Sequence, residues 1–199
     1  MSQEWLGTLQ KNMRDELGNS HMHTYVHGGE ARHMVTRNEE IQPGRADILV
    51  ICGTCNREEA RDAMNDQGGR MHLQASLERF MTSRHFSVDQ VVIGPDGKIT
   101  YGGKLARLDL AAKILRPTRW ALHSDPARGQ YGLSSRLCGR AVRLMVKERF
   151  TPSPALARYL ADHCEELLKS RGFWWHCARI DGVGSGVLTA VARRAMQPG

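Results

Sequence analysis

Two groups of residues in this chain are of the type and spacing that chemistry on a phosphate needs. The first is the glycine pair Gly102-Gly103 with Lys104 and Arg107 after it. Paired glycines let a backbone approach a ligand closely, and the N–H groups opening the next helix form an anion site with positive dipole character. Lys104 and Arg107 place full cations beside that site, and Glu78, Asp96 or Asp109 would hold a divalent metal if phosphoryl transfer took place there. The second group is Arg136, Arg140, Arg143 and Lys147, at i, i+4, i+7 and i+11 of a helical segment. They share one face, which repeats about every 5.4 Å and suits a phosphate backbone.

The thiols and imidazoles offer weaker patterns. Cys52 and Cys55, in ILVICGTCN, lie where a strand ends and a helix starts, the arrangement of a thioredoxin-like site. No proline precedes Val88-Asp89-Gln90 and no Trp precedes Cys52, so a thiol oxidoreductase is the alternative reading. For zinc, neither His163-Cys164 with His176-Cys177 nor the run His21, His23, His27 and His33 supplies a second ligand pair at a recognised spacing. His27-Gly-Gly-Glu30 lacks the spacing and the proline before Cys52 that a nucleoside deaminase uses. Trp174-Trp175, beside Arg171 and Arg179, would suit base stacking, though a buried pair after a helix end is the commoner arrangement.

These residues need elements to hold them. Apolar residues at helical spacing predict a helix over Gln3–Leu17. His21 to His27 alternates like a strand until Gly28-Gly29 breaks it. Ile48-Leu49-Val50-Ile51 reads as a buried strand feeding a helix from about Arg57 to Met64, and a second helix is expected over Leu73–Met81. Strands Gln90–Ile93 and Lys98–Tyr101 form a hairpin about Gly94-Pro95-Asp96-Gly97, followed by a helix from about Leu105 to Leu115. A helix over Ser134–Phe150 carries the basic stripe. The next starts with Ser153 as N-cap and Pro154 at its first position and closes at Gly172, and a last one spans about Val187–Met196.

Charge is unevenly divided. Residues 1–103 carry 11 basic and 14 acidic side chains, whereas residues 104–199 carry 17 and 7. Arg makes up 22 of the 28 basic residues, which favours bidentate phosphate contacts in the C-terminal half. No apolar run reaches the roughly 18 residues of a membrane-spanning helix, and MSQEWLGTLQKNM lacks the pattern of a secretory signal. The expectation is a cytoplasmic protein without a membrane span. Five Cys residues, an odd number at low density, argue against a disulfide scaffold.

The stretch Ala75–Leu115 runs in order through a short helix with Ser76-Leu77 and Phe80, a strand, the Pro-Asp-Gly hairpin, the glycine pair, and a helix with Arg107 and Ala111-Ala112. This resembles the ParB-like nuclease and sulfiredoxin superfamily, some of whose relatives are plasmid fertility-inhibition proteins. The resemblance implies an α/β (α+β) fold with a ParB/sulfiredoxin-like mixed core over residues 1–118, followed by a basic helical region over 119–199. It further implies a protein acting on DNA or nucleotides in plasmid transfer or partition. Such a protein would be a metal-dependent nuclease or NTPase, with Mg and a nucleoside triphosphate as cofactors. Glu78, Asp96 and Arg107 would be the catalytic residues, Gly102, Gly103, Lys104 and Arg107 the phosphate site, and Arg136, Arg140, Arg143 and Lys147 the nucleic-acid surface. The rival readings are a non-catalytic inhibitor that meets a protein partner in a DNA-transfer machine, and the oxidoreductase built on Cys52 and Cys55.

Overall fold

A computed structural model describes residues 4–42, 45–53, 57–66, 70–123, 133–177 and 185–197, with backbone alone at 57, 61, 64–66 and 185–188. The chain forms two compact units, one of residues 1–83 and 89–108, the other of residues 84–88 and 109–199.

The first unit is built on a mixed sheet. Strands β1 (His23–His27), β2 (Asp47–Ile51), β3 (Arg70–Gln74), β4 (Val91–Ile93) and β5 (Ile99–Tyr101) lie in the order β3-β2-β1-β4-β5. β2 and β3 are parallel, and every other neighbouring pair is antiparallel. Because strand side chains alternate, the register puts Thr24, Val26, Ile48, Val50, Met71 and Leu73 on one face. Helix α1 (Glu4–Leu17) lies on that face, and Thr24 Oγ1 donates to the Leu6 carbonyl at 3.4 Å. The opposite face presents His27, Asp47, Leu49 and Val92. There helix α4 (Leu77–Thr82) packs Phe80 and Met81 on Leu49 and Val92, with Tyr25, Ile51 and Leu77 at the margin. Helices α2 (Gly28–Arg37), α3 (Arg57–Asp66) and α5 (Lys104–Ala111) complete the elements that include first-unit residues.

Three stretches differ from the sequence reading. Gly28-Gly29 is the first turn of α2 as well as the end of a strand. Residues 70–74 pair with β2 as a strand, and the helix expected over Leu73–Met81 starts only at Leu77. There Ser76 Oγ accepts the Arg79 N–H at 3.2 Å, the bond of an N-cap. The helix expected to reach Leu115 stops at Ala111, and Ile114–Leu115 (β6) pairs in parallel with Thr151–Pro152 (β7).

The second unit is mainly helical: α6 (Arg119–His123), α7 (Ser135–Glu148), α8 (Pro154–Asp162), α9 (Cys164–Lys169), α10 (Arg171–Cys177) and α11 (Ser185–Met196). The single helix expected from Ser153 to Gly172 is divided into α8, α9 and the start of α10. Gly172 is a packing glycine inside α10 rather than a terminator, since a Cβ there would stand 2.7 Å from Ser135 Oγ. Gly139 of α7 has the same role more severely: a Cβ would fall 2.1 Å from the Phe173 carbonyl oxygen of α10.

Candidate functional site

The residues of most chemical interest converge where β1 ends and α2 begins. Register sets His27 opposite Asp47, and Asp47 opposite Arg70, so an imidazole, a carboxylate and a guanidinium form one row across three strands. The next row on that face is Tyr25, Leu49 and His72. The His27 and His72 rings meet edge to face with centroids 4.9 Å apart, and His27 meets Phe80 likewise at 5.0 Å. His27 is thus held in a buried aromatic contact while His72 stays exposed.

Gly28 follows His27 with φ +74°, a conformation that favours glycine. A Cβ at Gly28 would stand 3.0 Å from Asp47 Oδ2, so the bare backbone lies directly against the carboxylate. His27 occupies the N-cap position of α2 but supplies no side-chain cap bond. The N–H groups of this ten-residue helix's first turn therefore point out uncapped by it, with positive dipole character. Among the described residues the Asp47 carboxylate makes no side-chain hydrogen bond or ion pair. The turn is braced from behind by Arg32, one turn into α2, whose guanidinium pairs with Asp89; both side chains are buried.

Bare amides at a helix start accept phosphate oxygens, and a carboxylate beside them suits a sugar hydroxyl or a cation bridging to phosphate. Among the described residues no group of three His, Cys, Asp or Glu side chains is placed to hold a metal ion. Beside Asp47 a divalent ion would draw most of its other ligands from phosphate and water.

The residues singled out from sequence lie elsewhere. Gly102, Lys104 and Arg107 are exposed at the start of α5. The Gly102 N–H donates to the Gln90 carbonyl at 2.8 Å, and a Cβ at Gly102 would come within 2.9 Å of Gln90 Cβ, so this turn is packed against Gln90. The Gly103 carbonyl accepts the Arg107 N–H at 3.4 Å. Glu78 is exposed on α4, and Asp96 sits in the hairpin turn, where its Oδ1 accepts the Lys98 N–H at 2.9 Å. Asp109 is committed to Ser87 Oγ at 2.7 Å and to Arg116 Nε at 2.9 Å.

Along α7 the basic stripe divides: Arg136 and Lys147 are exposed, Arg140 and Arg143 half-buried. Cys52, the residue after β2, is disulfide-bonded, with Asn19 Nδ2 donating to its Sγ at 3.2 Å; Cys55 lies outside the described residues. Cys138, Cys164 and Cys177 are buried free thiols, and desolvation pushes Cys177 up to about 12. Trp174 is anchored by its Nε1 on the Leu168 carbonyl at 2.7 Å, whereas Trp175 is 62% exposed.

Sequence reasoning passed over His27, Gly28, Gly29, Asp47, Arg70 and His72 as a set. The usable signal was an alternating strand running into a glycine pair and then into helical spacing, with an Asp heading the next buried strand.

No family model and no curated protein matches this chain. Solved structures do. The CCA-adding enzyme of Thermotoga maritima complexed with tRNA is 17% identical at a TM-score of 0.64, with 96% of this chain covered against 49% of that one. The Bacillus stearothermophilus CCA-adding enzyme in complex with CTP is 17% identical at 0.63, with 99% and 54% covered. A CCA-adding enzyme in complex with ATP is 17% identical at 0.65, with 96% and 50% covered. The chain spans about half the length of these proteins. This overturns the ParB/sulfiredoxin resemblance over residues 75–115. A strand, a Pro-Asp-Gly hairpin, a glycine pair and a helix are local geometry common to many folds, and here they form one edge of a different sheet. The plasmid and conjugation roles rested on that resemblance and lose their support with it. The mixed α/β expectation holds at the level of class, no helix among the described residues is long and apolar enough to cross a membrane, and the fold is similar to that of these CCA-adding enzymes over about half their length.

Proposed function

We propose that the protein binds a nucleoside triphosphate at the β1–α2 glycine turn and acts with it on a nucleic acid. The observation that carries this reading is Gly28, at φ +74° with its backbone against the Asp47 carboxylate, opening a helix whose N-cap residue provides no cap. Phosphate oxygens would accept from the first amides of α2, and Asp47 would lie beside the phosphates or the acceptor hydroxyl. The likeness to solved complexes with CTP, with ATP and with tRNA supports the choice of ligand classes. On this reading Arg136 and Lys147 belong to the nucleic-acid surface, and Gly102-Gly103 with Lys104 and Arg107 remains a second candidate for phosphate contact.

Nucleotidyl transfer to a nucleic-acid hydroxyl is the reaction that suits the fold. A second reading, nucleotide binding without transfer, is favoured by the absence of a three-ligand acidic group among the described residues. One experiment separates the two. The protein is titrated with CTP and ATP, with and without Mg²⁺, and then incubated with labelled CTP and an RNA oligonucleotide. Gly28→Ala is expected to weaken nucleotide binding roughly ten-fold, because a Cβ would stand where the phosphates approach the bare backbone, and its strained φ is expected to cost about 1–2 kcal/mol of stability, read separately by melting. Asp47→Asn is expected to abolish incorporation while binding persists. Binding without incorporation selects the second reading. If neither nucleotide binds at millimolar concentration, or Gly28→Ala binds as the parent does, both readings fail.

A further inference from the structure

The second unit holds a cavity of about 510 Å³ that the nucleotide reading does not use. Its walls are mostly apolar, formed by Pro117, Leu122, Leu133, Leu156 and the ring of Tyr159. The Tyr159 hydroxyl donates to the Leu133 carbonyl at 3.1 Å, which fixes one wall against another.

Ser153 and Arg116 also line the cavity, and they are neighbours, since the Ser153 N–H donates to the carbonyl of Leu115 at 2.9 Å. Ser153 is the N-cap residue of the nine-residue helix α8. A serine there normally accepts an N–H from two or three positions ahead, but this one makes no cap bond. It is 2% exposed, and its Oγ has no hydrogen-bond partner among the described residues. A hydroxyl buried in this way loses its hydration without recompense until an external group accepts its proton. Pro154 has no N–H, so Ala155 and Leu156, both lining the cavity, carry the first amides of α8.

Among the described residues Arg116 is the one cation in the lining. Its Nε and Nη2 bond the buried Asp109 carboxylate at 2.9 and 3.1 Å. Two of its five N–H donors are thereby committed, and the guanidinium plane is held while the others stay available. One oriented cation, one partnerless hydroxyl and a helix N-terminus are the donors that an anionic head requires. The apolar walls ask for a hydrophobic body, and the volume lies within the roughly 300–1,000 Å³ of small-molecule sites.

We propose that this cavity binds a small amphiphilic anion, with a carboxylate or phosphate-ester head on Ser153 and Arg116 and an aromatic or branched aliphatic body among Leu122, Leu133 and Tyr159. The test uses the full chain, with phenyl phosphate, phenylacetate, inorganic phosphate and the neutral analogue 2-phenylethanol as probes, read by calorimetry. Both amphiphilic anions are expected to bind, the tighter of the two identifying the head group, while inorganic phosphate and the alcohol bind at least ten-fold more weakly. Ser153→Ala is expected to weaken the preferred anion roughly ten-fold, consistent with one hydrogen bond to a charged acceptor. Without ligand its melting temperature should not fall, since no cap is lost; a merely structural serine would lower it. Ala155→Phe, an exposed position at the cavity edge, is expected to block binding in a protein that still melts normally. The inference is overturned if no amphiphilic anion binds, if the neutral analogue binds equally well, or if Ala155→Phe leaves binding unchanged. Loss of CTP binding in a Gly28→Ala protein that still takes the anion would mark this site as independent of the first.

Discussion

At the level of single residues, the feature that most constrains the candidate nucleotide site is the buried pair of Arg32 and Asp89. Arg32 Nη2 lies 3.9 Å from where a Cβ at Gly29 would stand, and the pair ties the first turns of α2 to the segment leading into β4. Taking two charges out of water is costly, and their mutual attraction roughly repays it. Removing one partner of a buried pair typically costs about 3–5 kcal/mol. Arg32→Ala is therefore expected to lower stability by about 4 kcal/mol in urea denaturation, while an Arg32→Met, Asp89→Leu double variant recovers most of the loss. Failure of the double variant to recover would mean that the pair supplies more than mutual neutralisation.

At the level of elements, close approach between helices decides what can be substituted. Ala in place of Gly inside a helix normally gains up to about 1 kcal/mol from backbone entropy. At Gly139 that gain is opposed by a Cβ placed 2.1 Å from the Phe173 carbonyl oxygen and 2.9 Å from its carbon. Those atoms belong to the backbone of α10 and cannot swing aside as a side-chain tip would. Overpacking of this kind costs about 1–3 kcal/mol, sometimes more, so the clash outweighs the propensity gain. Gly139→Ala should lower the melting temperature, and a rise would show that α10 yields easily.

The same elements divide by how readable they were. α1, β2, the β4–β5 hairpin and α7 follow local rules of spacing, turn chemistry and capping, as at Ser134, whose side chain accepts the Leu137 N–H at 3.4 Å. α2 was missed because Gly28-Gly29 reads as a breaker, whereas here the pair is the entry a helix needs when it starts hard against Asp47. β3 was missed because Arg70-Met71-His72-Leu73-Gln74 has little intrinsic strand preference and owes its form to parallel pairing with β2. The fold of the first unit thus depends on partners distant in sequence.

For the whole molecule, the same distance explains why the candidate site was illegible. His27, Asp47 and Arg70 belong to three separate stretches, and only the β3-β2-β1 order with its register sets them in one row. Charge asymmetry, by contrast, needs no register. By unit, the first carries 12 basic and 14 acidic residues and the second 16 and 7, so the excess of nine positive charges lies in the second. If nucleic acid docks on that unit, binding must weaken with salt, because each neutralised phosphate releases counterions, with a log–log slope of about −0.7 per contact for a single strand. The stripe on α7 sharpens the expectation, because Arg136 and Lys147 are exposed while Arg140 and Arg143 are half-buried. Replacing Arg136 and Lys147 together by Gln should reduce the slope for a labelled single-stranded oligonucleotide by about 1.4, two contacts' worth, as read by anisotropy between low and moderate salt. Gln at Arg140 or Arg143 should change the slope less and stability more, since their guanidinium stems are packed. An unchanged slope in the Arg136, Lys147 variant would move the nucleic-acid surface off α7, leaving the other cations of the second unit to carry it.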